Sequence, residues 1–163
     1  INNTDFAPTI LEFAGGDVPD YMQGKSFKSI LETGNEPKGW RDETYYRYWM
    51  HMAHRHANPA HFGIRTNNYK LIFFYGRYHN LDKAKASEKE GYGSRYWFET
   101  PPGWEFYDLK NDPLEMDNRY NDPQYADIIA ELKKRLKKTR ERLNETDEEY
   151  PEIQAVIEEH WDD

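Results

Sequence analysis

The stretch from Phe62 to Tyr75 constrains this chain more than any other. Two apolar and aromatic runs, Phe62–Thr66 and Tyr69–Tyr75, flank Asn67-Asn68. Such runs favour strands and Asn tolerates positive φ, so the pair reads as a β-hairpin turning on the two asparagines. A lone hairpin is marginal in water and needs more strands and a covering layer. Residues 43–51 (ETYYRYWMH) suit a strand by aromatic content, and Trp104–Asp108 suit a further short one. Tyr125, Ile128, Ile129, Leu132, Leu136 and Leu143 recur at helical spacing behind Asp122 as N-cap and Pro123 at the first helical position. A shorter helix carries Ile153, Val156, Ile157 and Trp161. At the other end, residues 4–14 read as a helix opened by Thr4 or Asp5, with Pro8 in its first turn and Gly15-Gly16 as its stop. Phe6, Ile10 and Phe13 form its apolar stripe, a short helix follows near Ser26–Leu31, and Gly34 to Gly39 reads as a linker. The order predicts an α+β fold: a small antiparallel sheet of about four strands packed on a long C-terminal helix.

Material for a core is scarce. Leu, Ile, Val and Phe together number 28 of 163 residues, about 17%, under the roughly 20% floor typical of folded chains. Thirteen Tyr and five Trp argue against disorder, since disordered chains lack aromatics. A core this thin, and a start at Ile1 with neither Met nor an apolar leader, read as a piece cut from something longer. No apolar run approaches the ~20 residues of a membrane-spanning helix. Without cysteine there is no disulfide, thiolate nucleophile or Cys zinc site, and the compartment is left undecided.

Charge is unevenly placed. Residues 44–80 contain no Asp or Glu but hold Arg47, Arg55, Arg65, Lys70, Arg77 and five histidines, a segment of +5 in a chain of net charge −8. Such an inversion can steer an anionic ligand, or its members can pair with acids from other segments. The basic run Lys133–Arg140 alternates with Glu131, Glu141 and Glu145, which is the pattern of a solvated helix face. The tail beyond Thr146 has no Lys or Arg and would repel phosphate, so nucleic acid is not an expected partner.

The segment from His51 to His61 is the dense constellation of functional side chains. His51, His54, His56 and His61 lack the HExxH spacing, although a strand would put His54 and His56 on one face, within reach of a metal. The other reading is hydrogen bonding of these imidazoles and Arg55 to the hydroxyls and anionic groups of a sugar. Asp108, Asp112, Glu115 and Asp117 lack EF-hand spacing and the Gly at its sixth position, so a turn at Asn111-Asp112-Pro113 accounts for them. A free-standing module for anionic glycans and a zinc protein both stay open on these residues alone.

Three ordered motifs resemble one family. NNTDFAPTILEFAG with VPDYMQGKSFKSIL is similar to the D-x-x-P-T…A-G…G-x-S passage of the formylglycine-dependent (type I) sulfatases. HFGIRTNNYKLIFFYG resembles the hairpin of their C-terminal subdomain, and WEFYDLKNDPLEMDNRYNDP the E-L-Y-D-L-x-x-D-P-x-E-x-x-N passage before the last helix. The flavour is that of bacterial sulfatases acting on sulfated glycans. The resemblance implies that residues 1–40 are a helical remnant of a large alkaline-phosphatase-like α/β domain with a linker. Residues 41–145 would then be the C-terminal subdomain with an insert at 79–103, and residues 146–163 an acidic helical tail.

The family's nucleophile arises in a C/S-x-P-x-R motif, which this chain lacks. The chain is therefore expected to be inactive alone, with no catalytic residue, metal ligand or cofactor of its own. Calcium is expected in the large N-terminal domain, which is the implied partner together with a sulfated sugar. What the resemblance implies for this part is a wall of the substrate pocket, at His51, His54, Arg55, His56 and His61. The resemblance implies a periplasmic or extracellular location, which the chain's own residues do not decide.

Overall fold

The computed structural model describes residues 1–53, 56–79 and 99–163. The predicted insert at 79–103 therefore lies largely outside the described residues, as do His54 and Arg55. Two units separate, Ile1–Thr44 and Tyr45–Asp163, with the boundary inside the first strand. No helix among the described residues is long and apolar enough to cross a membrane.

In the first unit a short 3-10 turn, Asn3–Asp5, leads into α1 (Phe6–Phe13), and α2 spans Lys28–Thr33. Asp5 does not cap α1 with its side chain, as the sequence led one to expect of either Thr4 or Asp5. It is fully buried instead. Its carboxylate accepts the backbone N–H of Asn2 (2.6 Å) and of Lys25 (2.8 Å) and the guanidinium of Arg41 (2.5 Å). Burial raises the pKa of this group, but Arg41 and the two N–H donors outweigh it and leave the carboxyl below its ordinary value. Thr9 joins this node by donating to the Asp5 carbonyl (2.6 Å) and accepting the Phe27 N–H (3.0 Å). The helix thus turns Pro8 and Thr9 inward, while Phe6, Ile10 and Phe13 are 53%, 65% and 52% exposed.

The second unit carries a four-stranded sheet in the order β1-β2-β3-β4, with β1 at Glu43–Tyr48, β2 at His61–Thr66, β3 at Tyr69–Phe74 and β4 at Gly103–Asp108. Antiparallel register pairs Phe62 with Phe73 and Ile64 with Leu71 across β2 and β3, and Phe73 with Trp104 across β3 and β4. Side chains of a strand alternate between faces, so Phe62, Ile64, Leu71, Phe73 and Phe106 line one side together. That side is closed by α3 (Ala126–Arg142) with Ile129, Leu132 and Leu136, and by α4 (Pro151–His160) with Ile153 and Ile157. Trp161 completes the layer, its ring 5.1 Å from that of Trp104. The aromatics supply the bulk that the missing aliphatics do not.

The hairpin forms where the sequence puts it, but its turn does not work as expected. Neither Asn67 nor Asn68 has a positive φ. Thr66 Oγ1 accepts the N–H of Asn68 (3.3 Å) and Tyr69 (3.0 Å) and donates to the Tyr69 carbonyl (3.2 Å). A hydroxyl thus satisfies the turn without left-handed backbone. The β1 strand ends at Tyr48 rather than at residue 51, because the chain turns at Met52, whose φ is 54°. Asp122 caps the entry to α3 as expected, accepting the Gln124 N–H (3.0 Å) with Pro123 behind it. The acidic passage is a turn system, as read. Asp108 accepts from the N–H of Lys110 and Asn111 and from the Tyr125 hydroxyl (3.0 Å), and Asp112 from the N–H of Met116 and Asp117. Asn118 accepts the Phe106 N–H (3.0 Å) and donates to the Trp104 carbonyl (3.3 Å), so one amide occupies the open edge of β4.

Gly76 pins the described end of the chain before residue 80 to its return at residue 99. Its φ is 59°, and a Cβ there would meet the Thr100 carbonyl oxygen at 2.4 Å. Gly76→Ala is expected to cost more than about 1 kcal/mol, because the left-handed backbone and the contact both oppose it. Chemical denaturation of the variant against the parent chain measures it, and a neutral result would refute the close approach.

Candidate functional site

The sheet face turned away from the helices carries the histidine that the sequence singled out at the start of β2. His61 lies among three rings, stacked on Tyr48 (5.6 Å, 26°), tilted against Phe74 (4.9 Å) and edge-on to Tyr46 (6.0 Å). Its Nδ1 sits 2.7 Å from the Pro59 carbonyl oxygen. A carbonyl only accepts, so Nδ1 carries the proton and a neutral ring presents Nε2 as an acceptor. Burial and the Lys70 ammonium lower the pKa of His61, against the opposing pull of the Pro59 bond and Glu105. The neutral form is therefore the favoured one near pH 7.

Gly63, next but one to His61 on the same face, is what admits the Tyr46 ring. A Cβ there would lie 2.7 Å from the Tyr46 hydroxyl. Lys70 stands beside this group, 2.5 Å from the Glu115 carboxylate and 5.8 Å from the centre of the Tyr46 ring. The face therefore joins aromatic surface, a neutral imidazole and a paired ammonium.

The other predicted site residues fall in different places. His56 is exposed, in a stretch with no strand, and its N–H bonds the Ala53 carbonyl (2.9 Å). His51 is fully buried, with Nδ1 accepting the Ala60 N–H at 3.1 Å. It braces the loop that leads into His61 and does not reach the surface of this chain. His54 and Arg55 lie outside the described residues. No group of three or more His, Asp or Glu that could hold a metal occurs among the described residues.

The acid-free basic segment is partly answered by acids from elsewhere in the chain. Lys70 pairs with Glu115, and Arg77 with Glu99 at 3.4 Å. Arg47 is buried on the helix side of β1, with Nη2 2.6 Å from Asp147 and Nη1 3.8 Å from Glu145. Its guanidinium lies 3.4 Å from the Trp49 ring centre. Burial opposes this charge, but the Tyr75 hydroxyl and Asp147 outweigh it and raise the Arg47 pKa. Arg140 of α3 reaches the same Asp147, and Tyr45 donates to Glu145. Two cations and two anions thus meet inside the unit. Sequence reading missed this group, because its members are spread from residue 45 to residue 147. It also missed that Tyr48 and Phe74 frame His61, although the alternation in ETYYRY puts Tyr46 and Tyr48 opposite Arg47.

The chain is similar to several known proteins. An N-acetylglucosamine-6-O-sulfatase of Bacteroides thetaiotaomicron is 38% identical over 146 residues, which is 89% of this chain and 22% of that protein. An ulvan-active sulfatase of Formosa agariphila is 28% identical over 153 residues, 83% of this chain and 24% of its own length. A structure solved with its substrate D-glucosamine-2-N,6-O-disulfate superposes with a TM-score of 0.69 at 37% identity, covering 88% of this chain and 24% of that one. The phosphonate monoester hydrolase of Silicibacter pomeroyi, at 19% identity and a TM-score of 0.58 over 85% of this chain and 24% of its own, shares the fold. The chain spans under a quarter of the length of the curated relatives described. The N-sulphoglucosamine sulphohydrolase C-terminal family matches residues 1–86 and 75–142. The chain belongs to that family, the C-terminal region of the sulfatases.

Proposed function

We propose that this chain works as the C-terminal part of a sulfatase and supplies one wall of the pocket for a sulfated glycan. The likeness that carries this reading is the 37% identity to the structure holding a disulfated glucosamine. The wall would be the His61 face, with His51 bracing its loop from within, and His54, Arg55 and His56 remain proposed contributors to substrate binding. Aromatic rings suit the apolar face of a sugar, and a neutral imidazole offers an acceptor to a hydroxyl. The basic balance of residues 44–80 suits the approach of a polyanion. The nucleophile would come from the N-terminal part of the protein. A calcium held there would supply positive charge for the sulfate.

His61→Ala in the full-length protein is expected to lower kcat/KM for 6-O-sulfated N-acetylglucosamine by about tenfold to a hundredfold, and for a small aryl sulfate by far less. Equal losses on the two substrates would point to misfolding and count against a wall at His61. Tight binding of sulfated glycans by the isolated chain would favour a free-standing binding module instead.

A further inference from the structure

We infer that Arg47, anchored by Asp147, is a positioning residue that sets Tyr48 against His61 from the opposite side of the sheet. The inference rests on reading the His61 face as a substrate wall. β1 is an edge strand, held to the sheet by β2 alone. Backbone bonds to one neighbour set the register of an edge strand but leave its outer side without a partner strand. Arg47 holds that side through its side chain. Its fork is buried between the Trp49 ring and Asp147, and its Nε donates to the Tyr75 hydroxyl at 3.4 Å. The Tyr75 hydroxyl in turn lies 3.4 Å from the Tyr48 carbonyl.

Successive residues of a strand point to opposite faces, so fixing Arg47 below the sheet fixes Tyr46 and Tyr48 above it. Asp147 is itself held by Arg140, in a loop where its own φ is 64° and that of Asn144 is 55°. This loop begins just past residue 142, where the family match ends. Through Asp147 the segment after α3 therefore acts on the wall from the opposite side of the sheet.

Arg47→Met tests this while Asp147 keeps Arg140 and Glu145, whose side chain is 27% exposed, keeps the Tyr45 hydroxyl and solvent. Arg47→Lys restores the charge without the planar fork. In the full-length protein with isotope-labelled Tyr and His, the wild type should show a ring-to-ring NOE between Tyr48 and His61. Arg47→Met should lose it while amide shifts of the β2–β3 ladder hold. KM for 6-O-sulfated N-acetylglucosamine should rise about tenfold in that variant with kcat within about twofold, the aryl sulfate unaffected, and Arg47→Lys should recover part of the loss. An intact NOE in Arg47→Met overturns the inference whatever the kinetics show. If Arg47→Met does not fold, the same reading is taken from Arg47→Lys, where an intact NOE together with wild-type KM overturns it. Loss of the NOE with unchanged KM supports the positioning of Tyr48 and refutes the wall, and His61→Ala measured in parallel would then also leave KM unchanged.

Discussion

Asp147→Asn is expected to destabilise the Tyr45–Asp163 unit by about 3–5 kcal/mol, the usual consequence of removing one partner from a buried ion pair. The aspartate side chain is 1% exposed, and those of Arg47 and Arg140 are 3% and 8% exposed. Neutralising Asp147 leaves two desolvated guanidiniums facing an amide that answers neither charge. Asn is the informative replacement because it tolerates the left-handed backbone found here, so the charge alone changes. Asp117→Asn is the control. Its partner Arg119, at 2.8 Å, is 48% exposed and Asp117 is 59% exposed. Solvent screens that pair, and the change is expected to fall within about 1 kcal/mol. Urea unfolding followed by tryptophan fluorescence compares the two. An Asp147→Asn effect no larger than the control would show that the buried charges contribute no net stability.

Asp5→Asn is expected to have the second largest effect, confined to the Ile1–Thr44 unit. Three donors converge on this carboxylate, and it has no exposed surface. An amide there turns an NH2 toward one of them and removes the charge that the Arg41 bond depends on. Bonds to an ionised acceptor contribute about 1.5–3 kcal/mol each, so a local loss of roughly 3 kcal/mol is expected. Hydrogen exchange at the Lys25 amide reads it directly, as an acceleration of about a hundredfold; unchanged protection would remove Asp5 from the centre of this unit.

The same node predicts acid sensitivity. The folded Asp5 carboxyl lies below its ordinary value of 3.8. Its contribution is therefore complete above that value and is lost as pH falls through the lower folded one. Asp108, also lowered despite burial because Asn111 and Tyr125 bond its carboxylate, adds to the second unit in the same direction.

Much of the fold is legible in the order of residues. The run around Asn67-Asn68, the Asp122-Pro123 entry to α3 and the turn after Asp108 are local features, each decided by a few neighbouring side chains. The hairpin survived a wrong mechanism for its turn, because the alternation of Phe62, Ile64, Leu71 and Phe73 sets the register whichever residue bonds the corner. The candidate site was only half legible. His61 stands out by position, but four histidines close in sequence gave no sign that one is buried, one exposed and one ringed by aromatics. What separates them is the turn at Met52 and the bond from Ala60 to His51, both tertiary consequences of how the loop folds back on β2.

The sequence by itself determined the α+β class, the hairpin, the long helix and an acid-free basic segment in an acidic chain. Tertiary structure alone decided which of those basic groups have partners. Periodicity and turn chemistry act over a few residues, and the sequence displays them. Desolvation acts on whatever the fold brings together, so Arg47 has its closest carboxylate a hundred residues away, at Asp147. The basic segment is thereby divided between Arg47, paired with Asp147 on the helix side, and the histidine face, where Lys70 pairs with Glu115.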